Sequence, residues 1–105
     1  MGLRVYWTEF AKTELKKIFD YHNENVSLGI ARQITTQIVE KTDDLSIFIE
    51  MGAIEGLLSD RLQEFRYLVS KNYKIIYWVN KDKNRIEIID VFDTRQNPVK
   101  MGRNK

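Results

Sequence analysis

Arg66-Tyr67-Leu68-Val69, Asn72-Tyr73-Lys74-Ile75-Ile76-Tyr77 and Ile86-Glu87-Ile88-Ile89-Asp90-Val91, closed by Asp93-Thr94-Arg95-Gln96-Asn97-Pro98, decide how this chain folds. Glu64–Ser70, Tyr73–Val79 and Arg85–Phe92 are dense in β-branched and aromatic residues, which suit a pleated, half-buried surface. Lys71-Asn72 separates the first two runs, and the polar stretch Asn80-Lys81-Asp82-Lys83-Asn84 separates the second two. Short polar breaks of this kind are hairpin connections, so three strands form a meander. Alternation along the middle strand sends Tyr73, Ile75, Tyr77 and Val79 to one face and Lys74, Ile76 and Trp78 to the other. Pro98 lacks the amide a strand needs and marks where the last strand has ended.

Towards the N-terminus the period changes from two to about 3.6. Leu3–Trp7 reads as a short strand. Thr8 is placed to cap a helix, with Glu9 where the positive end of the helix dipole favours an anion. Phe10, Ala11, Leu15, Ile18, Phe19 and His22 form its apolar stripe, while Lys12, Lys16, Lys17 and Asp20 take the other face. Asn23-Glu24-Asn25 interrupts the pattern, and Ser27 opens a second helix with the stripe Ile30, Ile34, Ile38, Leu45 and Phe48. A short link between amphipathic helices implies an antiparallel hairpin. The stretch around Gly52 and Gly56 reads as an irregular connection.

The order strand-helix-helix-strand-strand-strand defines an α+β fold, a two-layer sandwich in which the helix hairpin packs on a mostly antiparallel four-stranded sheet. The sheet supplies the only large apolar face for the helix stripes, so its opposite face is left for function. One domain is expected over residues 1–98, with 99–105 as a basic tail carrying Lys100, Arg103 and Lys105.

With 105 residues the chain has room for one core but little for a deep cofactor cavity, and no cofactor is expected. It has no cysteine, which removes disulfides, thiolate chemistry and cysteine-ligated zinc. A single histidine makes a transition-metal site a poor expectation, and Asp43-Asp44 reads as a wet helix patch. No apolar run approaches about 18 residues and no leader pattern opens the chain, so a cytoplasmic protein without membrane contact is expected. The net charge of +2 is too small for indiscriminate polyanion binding; its placement matters more than its sum.

The segment from Phe65 to Pro98 resembles the C-terminal half of RelE/ParE toxins, in which an arginine-led strand, a tyrosine-rich strand and a last strand are closed by an arginine-containing segment ending in proline. The N-terminal strand and helix pair are similar to that family's beginning, and the ParE branch is the closer one. The resemblance implies the toxin of a type II toxin-antitoxin module, of the plasmid-stabilisation kind, held inactive by a cognate antitoxin. The antitoxin would be a partly disordered segment folding along the helix hairpin or the sheet edge. Two targets divide the family: ParE-like members poison DNA gyrase, and RelE-like members cleave mRNA at the ribosome.

Metal-independent RNA cleavage needs a base for the ribose 2′-hydroxyl, an acid for the leaving oxygen and cations around the phosphate. The RNase branch typically fills these roles with lysines, arginines and a histidine or tyrosine near the C-terminus. Here no histidine or tyrosine follows Tyr77, although Arg66, Lys74 and Arg95, with Lys71, remain candidates for a cationic catalytic site. Arg66 and Arg95 are equally readable as strand arginines paired with Glu87 or Asp93. Tyr67, Tyr73, Tyr77 and Trp78 suit base stacking, but packing is the commoner use of strand aromatics. His22 reads as a packed residue beside the helix link. The favoured expectation is a non-catalytic gyrase inhibitor that contacts its target through Asp93, Arg95 and Asn97; the alternative is the ribosome-dependent mRNA endoribonuclease.

Overall fold

The computed structural model describes residues 3–46, 53–54 and 65–95. In chain order these form β1 (Arg4–Trp7), α1 (Glu9–Asn25), α2 (Leu28–Asp43), one 3-10 turn at Asp44–Ser46, β2 (Ala53–Ile54), β3 (Arg66–Ser70), β4 (Tyr73–Asn80) and β5 (Arg85–Asp93). The sheet order is β1-β5-β4-β3-β2. β1 lies parallel to β5, because the helix hairpin carries the chain across one face before it returns; the other pairs are antiparallel. The α+β two-layer architecture is the one the sequence implies. It gains a two-residue edge strand, β2, inside the stretch read as irregular; Gly52, Gly56, Phe48 and Glu64 lie outside the described residues.

Thr8 joins the two layers. Its hydroxyl accepts the amide of Ala11 at 3.2 Å, capping α1, and donates to the carbonyl of Ile88 at 2.9 Å. Its own amide donates to the same carbonyl at 3.1 Å, extending the β1-β5 ladder into the helix start. Ser27 caps α2 in the same way, accepting from Ile30 at 3.1 Å. Both caps were legible because Ser and Thr satisfy first-turn amides that no helix residue reaches.

The helix-facing side of the sheet holds the main core. Tyr73, Ile75, Tyr77, Ile86, Ile88, Val91 and Leu68 meet Ala11, Ile38 and Leu45, with Leu15, Ile18 and Ile34 packed around them. The α2 stripe is rotated from the expected one: Ala31, Ile38 and Thr42 are buried, whereas Ile30 is 37% exposed. Thr42 is tolerated there because its hydroxyl donates to the Val39 carbonyl at 2.7 Å.

The opposite face carries a smaller cluster, Phe65, Ile76 and Phe92, flanked by Tyr67, Trp78 and Ile89. A β-bulge lies between these clusters: Ile76 opposes Asp90 and Tyr77 opposes Ile88, which leaves Ile89 as the extra residue. The bulge keeps both Ile88 and Val91 on the helix side despite their three-residue spacing.

The β3-β4 connection is the two-residue turn Lys71-Asn72, and Lys71 takes φ 55°. A side chain with a Cβ is strained in that left-handed region, whereas glycine is not. Lys71→Gly is expected to raise stability by up to about 1 kcal/mol, the relief of strain outweighing the added freedom of the unfolded chain. A higher urea midpoint at unchanged m-value would be the signature; a lower midpoint would show that the lysine stabilises the turn by other means.

Candidate target-contact site at the end of the last strand

Register separates the cations grouped by the sequence reading. Arg66 opposes Tyr77 and therefore lies on the helix-facing side. Lys74 opposes Phe92 and lies on the other face, with its Nζ 4.1 Å from the centroid of the Tyr67 ring. Arg95 follows β5, at the end of the sheet where β4 begins. Asn97, like the tail 99–105, lies outside the described residues.

Asp93 and Arg95 close the strand as a clasp. The Arg95 amide donates to Asp93 Oδ1 at 2.8 Å, its Nε donates to Oδ1 and Oδ2 at 3.0 and 3.1 Å, and its Nη2 donates to Oδ2. The Thr94 amide donates to the Asn72 carbonyl at 2.7 Å, fixing the clasp against the β3-β4 turn. The hydrogen bonds from Arg95 hold the Asp93 carboxyl below its usual range, and Asp93 in turn raises the already high pKa of Arg95. Of the two carboxylates weighed for Arg95, Asp93 is the one used; Glu87 pairs with Arg85, whose Nη2 is 2.8 Å away.

His22 is not beside the helix link alone, as its place in the sequence suggested. Its Nε2 is 2.8 Å from the hydroxyl of Tyr73, which is itself the cross-strand partner of Asp93. The correction follows from length. The 17 residues of α1 span about 25 Å, enough to run from the Thr8-Ile88 junction to the far end of the sheet. Exposed Tyr21 meets His22 edge-on at 5.2 Å. The signal was present in the sequence, since His22 continued the apolar stripe of α1 and Tyr73 alternated onto the core face, but only the packing brings them together.

Burial, and secondarily the Asp93 charge, raise the pKa of Tyr73 above its ordinary value. A phenol that binds its proton more tightly when folded stabilises the fold fully below pH about 10 and loses that contribution as pH rises through the folded value. Tyr73→Phe is therefore expected to flatten the alkaline limb of the stability profile, measured by thermal melts between neutral and strongly alkaline pH. An unchanged slope would place the titration elsewhere.

Among the described residues no three His, Cys, Asp or Glu side chains stand close enough to hold a metal ion, and no helix is long and apolar enough to cross a membrane.

A helix hairpin on one face of a small mixed sheet, with an aspartate-arginine clasp at the end of the last strand, defines a small two-layer α+β domain. The sequence matches the family described as the ParE toxin of the type II toxin-antitoxin system parDE over residues 5–98, and the chain belongs to that family. A chain of the chromosomal ParDE toxin-antitoxin system from P. aeruginosa superposes with TM-score 0.72 at 20% identity, covering 88% of this chain and 96% of its own. A chain of the toxin-antitoxin complex RelBE2 from Mycobacterium tuberculosis does so with TM-score 0.62 at 18% identity, covering 89% and 92%. A comparison with curated proteins found no match. The chain is the toxin of a type II toxin-antitoxin pair.

Proposed function

We propose that this toxin acts by binding and inhibiting DNA gyrase, without covalent chemistry of its own, and that a cognate antitoxin neutralises it. The observation that carries the reading is the ParE family match across residues 5–98. Two features support it: Arg66 and Lys74 stand on opposite faces of the sheet, so they do not converge with Arg95 on one phosphate, and the exposed Arg95 is held by Asp93 at the end of the last strand. Asp93, Arg95 and Asn97 are the proposed contact residues. The antitoxin is expected to lie on the helix hairpin, where Tyr21, Val26, Leu28 and Ile30 are exposed, or along the sheet edge, and the toxin to act in the cytoplasm.

One observation favours the second reading, ribosome-dependent mRNA cleavage: His22 and Tyr73 stand at the same strand end as Arg95, supplying the histidine and tyrosine that the last strand lacks. The deciding experiment titrates the purified toxin into a gyrase supercoiling assay beside ribosomes programmed with a defined mRNA. Inhibited supercoiling with intact mRNA is the expected result. Cleaved mRNA with gyrase untouched overturns it in favour of the nuclease.

A further inference from the structure

Two phenylalanine rings would pack where His22 and Tyr73 stand without leaving a polar atom unsatisfied. The polar pair does leave one: the Nδ1 of half-buried His22 is itself buried and has no hydrogen-bond partner among the described residues. What the pair adds over packing is direction. Nε2 and the Tyr73 hydroxyl share a hydrogen bond of 2.8 Å, which prefers one distance and one line of approach, whereas apolar contact is non-directional.

His22 is a firm anchor for such a bond. Its carbonyl accepts the amides of Val26 and Ser27 at 2.9 and 3.0 Å, which closes the last turn of α1 and holds the residue's backbone in place. Tyr73 stands on a rung of the β4-β5 ladder that has no backbone hydrogen bond of its own. The Asn72 carbonyl points to β5, where it accepts the Thr94 amide at 2.7 Å, so the Tyr73 amide, on the other side of the same planar peptide, points away from β5. Tyr73 and Asp93 therefore face each other as a non-hydrogen-bonded pair, the kind in which side chains approach most closely. Each side chain of this rung is held by a different element: Asp93 by Arg95, and Tyr73 by His22.

We infer that His22 and Tyr73 are positioning residues for Arg95: the hydrogen bond between them pins the last β4-β5 rung to the end of α1, and so fixes the point from which the Asp93-Arg95 clasp presents its guanidinium to the target. The groups are close enough to sense one another. Burial first, and the Asp93 charge second, raise the pKa of Tyr73, while Asp93 first, and Tyr73 behind it, raise that of Arg95. The inference rests on the proposed function only for the view that Arg95 meets the target; the pinning of the clasp stands on the geometry.

Replacing one partner orphans the other, so the decisive variant is His22→Phe/Tyr73→Phe, which removes both polar groups and is expected to melt like the wild type. Two quantities are read. One is the exchange of the Arg95 Nε proton with water, followed by NMR at fixed pH, with Arg95→Lys assigning the signal. The other is the toxin concentration that half-inhibits gyrase supercoiling. In the double variant the proton is expected to exchange about tenfold faster and half-inhibition to need about tenfold more toxin, the equivalent of one hydrogen bond. His22→Gln, whose amide reaches the same hydroxyl, keeps both near the wild-type values. Unchanged exchange in the double variant, or unchanged potency beside faster exchange, overturns the positioning role and leaves the two residues as packing. A double variant that melts well below the wild type shows that the bond serves stability, and overturns it too. A wild-type toxin that leaves gyrase untouched removes the target reading, and the exchange rate then decides by itself whether the clasp is pinned.

Discussion

Tyr77→Ala is expected to cost roughly 3–5 kcal/mol, a large part of the about 5–15 kcal/mol that holds a domain together. Tyr77 is fully buried at the middle of β4, opposite Ile88, and belongs to the cluster that includes Ile38, Leu45, Ile75 and Ile86. Truncation removes the ring and leaves a cavity where the sheet meets the hairpin. The neighbours cannot collapse into it without breaking the ladder on either side. Tyr77→Phe keeps the ring and should lose only about 1 kcal/mol. Urea denaturation of the two variants checks the pair. A loss below about 1.5 kcal/mol for alanine would mean that the hairpin repacks, and that the core is less rigid than its burial implies.

Arg95→Ala is expected to lower inhibition of the target about a hundredfold while leaving the fold and antitoxin binding intact, the size of effect seen when a central arginine is removed from an interface. The fold is safe because Arg95 is exposed and, among the described residues, its side chain bonds only to Asp93 two residues away, an ion pair worth little in water. The function is not safe, because Asp93 would then present an unmatched negative charge at the proposed contact surface. Asp93→Asn separates the two contributions: it removes the carboxylate's charge, frees Arg95 from the clasp while keeping the guanidinium, and should cost less than the alanine. Supercoiling inhibition measured against toxin concentration, beside a pull-down with the antitoxin, reads both. Full potency in Arg95→Ala would move the contact surface away from the strand end.

The sequence by itself determined the parts that depend on local chemistry. Thr8 and Ser27 announced the helix starts because their hydroxyls satisfy amides within three residues. The alternation of Tyr73 to Val79 assigned the two faces of β4, and the run from Phe65 to Pro98 carried the family. For Arg95 the sequence offered Glu87 or Asp93 as partner, and the structure uses the local one, Asp93, two residues away.

Only the tertiary structure decided what depends on register and on where helices end in space. Ile89 could not be recognised as a bulge from its own strand, because the extra residue is defined against β4. The rotation of α2 that exposes Ile30 and buries Thr42 follows from how the helix meets the sheet, not from its hydrophobic count. Arg66 and Lys74 looked like partners and lie on opposite faces, while His22 and Tyr73, 51 residues apart, share a hydrogen bond. A pattern of residue types encodes the period of each element, but the meeting of side chains from different elements is fixed only when the elements pack.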